Sequence, residues 1–203
     1  MKPFSPQNRI ISDEQEMEWI TRSVAGDRAS FEKLMKSYSR RMYNFIFRMV
    51  REEEVAVELS QELFIKLYQV LPKYNREYRF STWLYRICYN LVIDHVRRHQ
   101  HAVDSLEDDD RQVFAVVGAE EDPEPPPHGL EPLIQEERRR TVWSMVHALP
   151  AKYRELLLLR YAQGQKYEDI AEITGLPVGT VKNRIFKAKG LMRREIEKHE
   201  LFD

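Results

Sequence analysis

Apolar residues recur at intervals of three and four along most of the chain, which is the period of an amphipathic α-helix. The pattern runs unbroken over Ala29–Val50 and continues through Glu52–Leu71 until Pro72 interrupts it. A further apolar stripe runs through Phe80–His99. No segment alternates apolar and polar residues over the length of a strand. The N-terminal half is therefore predicted to be a bundle of helices.

Further helices are predicted before and after these segments. The first begins at Ser12-Asp13, which with Glu16 forms a capping-box-like start, and it ends at Gly26-Asp27. In the C-terminal part, helices are predicted over Pro132–Leu149, Ala151–Ala162, Tyr167–Thr174 and Val178–Lys198. A second helical bundle is the expected result.

Residues 102–131 separate the two bundles and lack any such period. Carboxylates cluster over 104–110, and prolines and carboxylates alternate over 120–127. Proline removes backbone donors and clustered carboxylates repel one another, so a flexible acidic linker is expected. Its apolar island, Val113–Val117, is an exception to which the sequence assigns no role. The predicted fold is all-α, with two small helical bundles at 13–101 and 132–198 joined by the acidic Pro-rich linker at 102–131.

Charge is distributed unevenly along the chain. The net charge of the whole protein is −1, yet residues 1–103 carry +4, residues 104–137 carry −11 and residues 138–198 carry +8. Two basic blocks thus flank an acidic connector, and basic blocks of this kind favour nucleic-acid partners.

Several features indicate a cytoplasmic protein without membrane insertion. No apolar run approaches the ~18–20 residues that span a bilayer. The first residues lack the basic start and apolar stretch of a signal peptide. A single cysteine, Cys88, forms no internal disulfide, which suits a reducing compartment.

The segment Tyr167–Lys189 has the spacing of a helix-turn-helix, whose second helix enters the major groove of DNA. Ala171 allows the two helices to approach closely, and Gly175 supplies the positive φ that ends the first helix. Val181 faces inward. The residues predicted to face the DNA are Lys182, Asn183, Arg184, Phe186 and Lys187. An ordinary helical hairpin with a solvated basic face is the alternative, and the correct spacing within a +8 block favours DNA binding.

No catalytic or metal site is predicted. His95 and His99 are four residues apart on a helix, but no glutamate follows His95 and Cys88 lies seven residues back, so they form a poor ligand set. The run Asp108–Asp110 lacks the glycine and spacing of a calcium loop. No nucleophile with a base and no Gly-rich phosphate loop is present. We expect no metal, no cofactor and no enzymatic activity.

At this point the motifs resemble a known family. His147–Tyr161, Tyr167–Ala171 and Pro177–Ala188 resemble region 4 of bacterial sigma factors, whereas Glu58–Tyr68 and Phe80–Arg98 resemble region 2. The short linker between the two regions is typical of the extracytoplasmic-function (ECF) group. The resemblance implies a sigma factor that binds core RNA polymerase and directs promoter-specific initiation at −10 and −35 elements, in a stress or envelope response.

The resemblance also implies roles for particular positions. Contacts to the −35 element are implied for Lys182, Asn183, Phe186 and Lys187, with Arg184 supporting them. Promoter melting and −10 recognition are implied for a loop and a helix face, namely Tyr74, Asn75, Arg76, Tyr78, Arg79, Arg86, Asn90, Arg97 and Arg98. Polymerase binding is implied for Glu58, Gln61, Glu62, Leu63 and Phe64. The implied partners are promoter DNA, the clamp helices of the largest polymerase subunit, the flap of the second-largest subunit and an anti-sigma factor.

Physical arguments agree in part with these roles. The predicted helix Glu52–Leu71 has an acidic face that suits a basic protein partner and not DNA. Phe80 and Trp83 share an apolar stripe and are expected in the core, whereas Tyr74 and Tyr78 lie in a polar loop suited to unstacked bases.

Alternative functions belong to other classes. A sigma mimic that binds an anti-sigma factor without binding DNA would not need the basic second helix. A dimeric helix-turn-helix regulator would need a dimerisation element, and a nucleic-acid enzyme would need a catalytic site; neither feature is found in the sequence.

Overall fold

A computed structural model describes residues 11–100 and 141–198. The predicted linker at 102–131, including Val113–Val117, lies outside the described residues, as do positions 132–140. Within the described ranges every regular element is helical, which confirms the predicted all-α fold.

The helices follow the predicted order closely. In the N-terminal part they are α1 (Asp13–Val24), α2 (Arg28–Val50), α3 (Glu53–Val70), a 3₁₀ turn (Leu71–Lys73) and α4 (Phe80–Gln100). In the C-terminal part they are α5 (residues 141–148), α6 (Ala151–Leu157), a π-helical segment (Leu158–Ala162), α7 (Tyr167–Thr174) and α8 (Val178–Lys198).

The π-helical segment is a difference from the single α-helix predicted over Ala151–Ala162. There the backbone N–H of Gln163 donates to the carbonyl of Leu158 at 3.0 Å, five residues back, instead of four. Leu158 and Leu159 are both buried, as are Leu156 and Leu157 just before them. The apolar period of the sequence predicts a helix here, but it does not distinguish α-helical from π-helical hydrogen bonding.

The chain forms two compact units, and the first comprises residues 1–106 and 158–181. Its centre is α2, which packs against α1, α3 and α4. The largest fully buried side chains of α2, α3 and α4 are Leu34, Met42, Phe45, Ile46, Leu59, Leu63, Leu67, Phe80 and Leu84. Because these residues come from three consecutive helices, their burial holds the loops between those helices in place.

The second unit comprises residues 107–157 and 182–203. Among its described residues, Met145, Val146 and Leu149 are buried, as are Leu156 and Leu157. The part of α8 that belongs to this unit also has a buried side. The helices of the second unit are therefore amphipathic, with their apolar faces turned inward.

The start of α1 corrects one expectation. Ser12 is the N-cap, and its hydroxyl accepts a hydrogen bond from the backbone N–H of Gln15 at 3.2 Å. The predicted capping box is wrong, because Glu16 lies one position beyond the box and instead accepts a hydrogen bond from the hydroxyl of Tyr38. Burial and the Glu16 carboxylate raise the pKa of Tyr38, so its hydroxyl keeps the proton that it donates.

The junction of α1 and α2 is organised by Asp27, the N-cap of α2. Its carboxylate accepts hydrogen bonds from the backbone N–H groups of Ala29 and Ser30, at 3.0 and 3.3 Å, and from the Ser30 hydroxyl at 2.8 Å. Arg22 adds an ion pair at 2.7 Å. These hydrogen bonds, those from Ser30 above all, lower the pKa of Asp27.

Replacing Asp27 with alanine is expected to destabilise the protein at neutral pH, because α2 loses its cap. Since the pKa of Asp27 is lower in the folded protein, its contribution is complete above the unfolded pKa of ~3.9 and is lost as pH falls through the folded value. Urea unfolding followed by circular dichroism should therefore show a difference between Asp27→Ala and the unmodified protein that shrinks below about pH 4. The control is Glu32→Ala, an exposed carboxylate on α2, for which a pH-dependent loss of similar size would contradict the assignment.

Candidate nucleic-acid interface

The turn between α7 and α8 has the predicted geometry. Gly175 adopts φ +72°, and its N–H donates to the carbonyl of Ala171 at 2.8 Å, which ends α7 at Thr174. Pro177 precedes the first residue of α8, and its carbonyl accepts from the N–H of Val181 at 3.0 Å. Ile170 and Val181 are fully buried. The local conformation is therefore that of a helix-turn-helix, with a glycine at the position that requires positive φ.

The solvent-facing side of α8 carries most of the predicted DNA-reading residues. Lys182, Asn183, Phe186 and Lys187 are exposed, whereas Arg184 is half-buried at the flank. Phe186 is 78% exposed, so its side chain is open to a partner in this conformation. The surface combines two ammonium groups, an amide and an apolar ring, a set that can contact both phosphates and base edges.

The two tyrosines of the loop between the 3₁₀ turn and α4 have different environments. Tyr74 packs against Phe80 and Trp83, with ring centroids 5.4 and 5.1 Å apart, and its hydroxyl donates to the carbonyl of Tyr78 at 2.6 Å. Burial raises the pKa of Tyr74. Tyr78, in contrast, is 46% exposed. Tyr74 therefore supports the loop, and Tyr78 is the ring that the loop presents to solvent.

The polar residues of this loop are tied to the protein. The Asn75 side chain accepts from the N–H of Glu77 at 3.0 Å and donates to its carboxylate at 2.7 Å. Arg76 donates to the hydroxyl of Thr21 on α1 at 3.0 Å. Arg79 is exposed. The loop is thus braced by its own hydrogen bonds and by one to α1, which lowers the conformational entropy that it would lose on binding a base.

Polar and basic side chains continue along α4. Arg86, Asn90 and Arg97 are exposed, and their spacing of four and seven residues places them on one face of the helix. Arg98 is exposed on the adjacent face, where its side chain donates to the carbonyl of Asp94 at 3.2 Å. Together with Arg79 they form a track suited to a single-stranded backbone.

The predicted polymerase-binding residues of α3 do not all share one environment. Glu58, Gln61 and Glu62 are exposed, but Leu63 is 0% exposed and belongs to the core with Leu59. The side chain of Leu63 is therefore unavailable to a partner in this conformation. The family resemblance implied that Leu63 contacts the polymerase, but the spacing of Leu63 from Leu59 is that of the buried stripe.

A groove of about 870 Å³ lies between α2 and α3. Phe64 is among its lining residues, together with Phe31, Met35, Tyr43, Ile65 and Tyr68. Ile65 is 62% exposed, and the rings of Phe31 and Tyr68 meet edge to face at 5.0 Å. This groove was not expected from the sequence. The sequence pattern that could have indicated the groove is a second apolar stripe on α3, formed by Phe64 and Tyr68 and offset from the buried leucines.

Two further observations concern the described residues alone. No cluster of three or more His, Cys, Asp and Glu side chains within residues 11–100 and 141–198 is arranged to hold a metal ion. In those same ranges, no helix combines the length and the apolarity that crossing a membrane requires.

Comparison with known families gives two matches in the expected order. Residues 34–102 match the model of sigma-70 region 2, and residues 139–192 match that of sigma-70 region 4. The chain is 33% identical to the RNA polymerase sigma-H factor of Pseudomonas aeruginosa over 190 residues, covering 93% of this chain and 97% of that protein. It is 31% identical to the ECF RNA polymerase sigma-E factor of Escherichia coli over 183 residues, covering 88% and 92%.

Solved structures share the fold. The sigma factor RpoE, crystallised with the anti-sigma factor NepR from Bartonella quintana, matches with a TM-score of 0.64 and 21% identity, covering 82% of this chain and 96% of that one. CnrH, solved with the cytosolic domain of CnrY, matches with a TM-score of 0.63 and 16% identity, covering 91% and 98%.

The two loop tyrosines are expected to respond differently to substitution. Tyr78→Ala should weaken binding of a fluorescent single-stranded oligonucleotide by about 1–3 kcal/mol, the value of one stacked base, with little change in stability. Tyr74→Ala should lower the free energy of unfolding by about 2 kcal/mol, since it removes two ring contacts and a hydrogen bond. Equal loss of stability in the two variants would overturn the division of roles; Tyr78→Phe, which keeps the ring, is the control for stacking.

Proposed function

This chain belongs to the ECF sigma factors, the dissociable subunits that direct bacterial RNA polymerase to promoters, and we propose that its two DNA-facing surfaces read the −35 and −10 elements. As a sigma factor it is an initiation subunit and not an enzyme. The bond-forming chemistry of transcription belongs to the polymerase.

The proposal for the −35 element rests on the exposed side of α8. Lys182 and Asn183 lie one turn from Phe186 and Lys187, and all four project from the helix that follows the Gly175 turn. Lysine and asparagine side chains donate to purine edges, and a phenyl ring can contact a thymine methyl. Half-buried Arg184 is placed for a phosphate at the edge of the groove.

The proposal for the −10 element rests on the loop before α4 and on α4 itself. Melting a duplex requires binding of extruded bases strong enough to offset a few kcal/mol of unstacking, and no catalytic group is needed. Tyr78 supplies an exposed ring for one such base. Arg79, Arg86, Asn90, Arg97 and Arg98 then follow the displaced strand, while Tyr74, Asn75 and Arg76 hold the loop in shape.

The groove between α2 and α3 is the proposed polymerase-binding surface. Its floor is apolar and Gln61 is among its lining residues, while Glu58 and Glu62 are exposed on the same helix. An amphipathic helix with a basic border would bury its apolar face against Ile65 and Tyr68, whereas Phe64 is itself only 9% exposed, and would pair its charges with the acidic side chains of α3. We assign the groove to the clamp helices of the largest polymerase subunit; the flap of the second-largest subunit is assigned to the C-terminal bundle.

An anti-sigma factor is a further proposed partner, acting through the same groove in a stress or envelope response. RpoE, which shares this fold, was solved with the anti-sigma factor NepR, and CnrH, which also shares it, was solved with the cytosolic domain of CnrY. An inhibitor that covers an exposed apolar groove competes directly with the polymerase for it. The proposed site of action is the cytoplasm, where the polymerase and the chromosome are found.

The test is run-off transcription with purified core polymerase and a promoter library. The protein should produce promoter-dependent transcripts, and Asn183→Ala should reduce them by about tenfold, as expected when a base contact worth ~1–3 kcal/mol is lost. Glu172→Ala, an exposed change on α7, is the control. Binding to DNA alone without any promoter-dependent transcript would sink the proposal. Binding to an anti-sigma factor with no transcript would identify a sigma mimic.

A matched pair on α3 tests the polymerase surface. Ile65→Ala should weaken binding to core polymerase by about 1–2 kcal/mol while leaving stability nearly unchanged, because its side chain is exposed in the free protein. Leu63→Ala should instead cost about 2–5 kcal/mol of stability, since it leaves a cavity in the core. Affinity is measured by fluorescence anisotropy and stability by urea unfolding. If Ile65→Ala left the affinity for polymerase unchanged, the assignment of the groove to polymerase binding would be wrong.

A further inference from the structure

The groove between α2 and α3 lies between two helices of opposite charge. The exposed charged side chains of α2 are mainly cationic and comprise Arg28, Lys33, Lys36 and Arg40, with the single carboxylate Glu32. Those of α3 are mainly acidic and comprise Glu53, Glu54, Glu58 and Glu62, with the single cation Lys66. An apolar groove with one cationic and one acidic side distinguishes between the two flanks of a helix that binds in it.

Two cations and two carboxylates lie next to the apolar floor of the groove. Arg40 is one of the lining residues, and Lys36 precedes it by four positions on the same helix. Glu58 and Glu62 each lie three positions before a lining residue of α3. Residues three and four apart are neighbours on a helix surface, so all four charges border the floor. Lys36 and Arg40 are called the cationic border below, and Glu58 and Glu62 the acidic border.

The two borders run side by side along the α2–α3 hairpin. Only two residues connect α2 to α3, so the helices are neighbours that run in opposite directions. Arg40 and Glu62 lie at nearly equal numbers of residues from this connection, which places them at a similar level on opposite sides of the groove. The lining residues of α2 extend from Phe31 to Tyr43, or about 18 Å at ~1.5 Å per residue. The groove therefore has room for about three turns of a partner helix.

A helix in this groove has one direction that matches the charges. The apolar stripe of an amphipathic helix has a flank on each side, and the direction of the helix fixes which flank meets which side of the groove. Turning the helix end for end exchanges the flanks and brings like charges together. Charged flanking positions select helix orientation in coiled coils in the same way. Because like-charge contacts oppose binding, one direction is favoured over the other.

We propose that the groove binds a partner helix with two oppositely charged flanks, an acidic one against the cationic border and a basic one against the acidic border, and that this arrangement fixes the direction of the helix. The proposal rests on the assignment of the groove to polymerase binding given above. It adds a requirement to that assignment, because a helix with basic residues on both flanks is repelled by Lys36 and Arg40. The two borders thus select among helices of equal apolar area.

The test is the affinity of full-length variants for purified core polymerase, measured by fluorescence anisotropy. The double variant Lys36→Glu with Arg40→Glu should bind on the order of tenfold more weakly at low salt, because attraction becomes repulsion at two positions. A partner with basic flanks alone would instead bind this variant more tightly. The loss should shrink as salt is added, since the Debye length falls from ~10 Å at 0.1 M to ~3 Å at 1 M. A loss caused by unfolding would not depend on salt in this way.

A charge-inverted variant tests the arrangement of the charges independently of their sum. It adds Glu58→Lys and Glu62→Lys to the double variant, which restores the net charge of −1 and leaves the apolar floor intact but exchanges the two borders. The rest of the polymerase complex sets the direction of the helix, so this variant should also bind on the order of tenfold more weakly. Lys73→Glu with Lys166→Glu, two exposed cations that do not line the groove, is the control for net charge and should leave the affinity nearly unchanged.

The outcomes separate the two borders from the groove itself. Equal or tighter binding of the double variant, folded as judged by circular dichroism, would overturn the cationic border. If that variant does not fold, the neutral pair Lys36→Gln with Arg40→Gln decides the same question and should bind about threefold more weakly. Full affinity of the charge-inverted variant would overturn the fixed direction of the helix. Unchanged affinity of Ile65→Ala would instead overturn the assignment of the groove to polymerase binding, on which the borders depend.

Discussion

The division of each helix into a buried and an exposed face is the constraint on which every proposed surface depends. On α8, Val181, Ile185 and Ala188 are buried, and their spacing leaves the opposite side of the helix to solvent. Lys182 and Asn183 face outward because those apolar neighbours face inward. The surface proposed to face DNA is thus positioned by the core, and a change in the apolar stripe would turn Lys182 and Asn183 away from that direction.

Helix α3 carries two apolar stripes, and the bundle buries only one of them completely. Leu59, Leu63 and Leu67 form the stripe that closes the core, and Phe64 and Tyr68 form a second stripe about a quarter turn away. A helix in a small bundle buries one such stripe against its neighbours. The second remains as an apolar groove, which is costly in the free protein unless a partner covers it. This cost is the physical basis for assigning the groove to a protein partner.

Local features of the structure could be predicted from the sequence, and pairings between distant residues could not. The bounds of α7 and α8 and the positive φ of Gly175 follow from turn chemistry and apolar period, which act over a few residues. Burial of Leu63 was equally accessible, because its spacing from Leu59 fixes its face. The bond between Glu16 and Tyr38 joins residues on different helices, so no local pattern encodes it. The hydrogen bond from Arg76 to Thr21, which ties the loop before α4 to α1, is of the same kind.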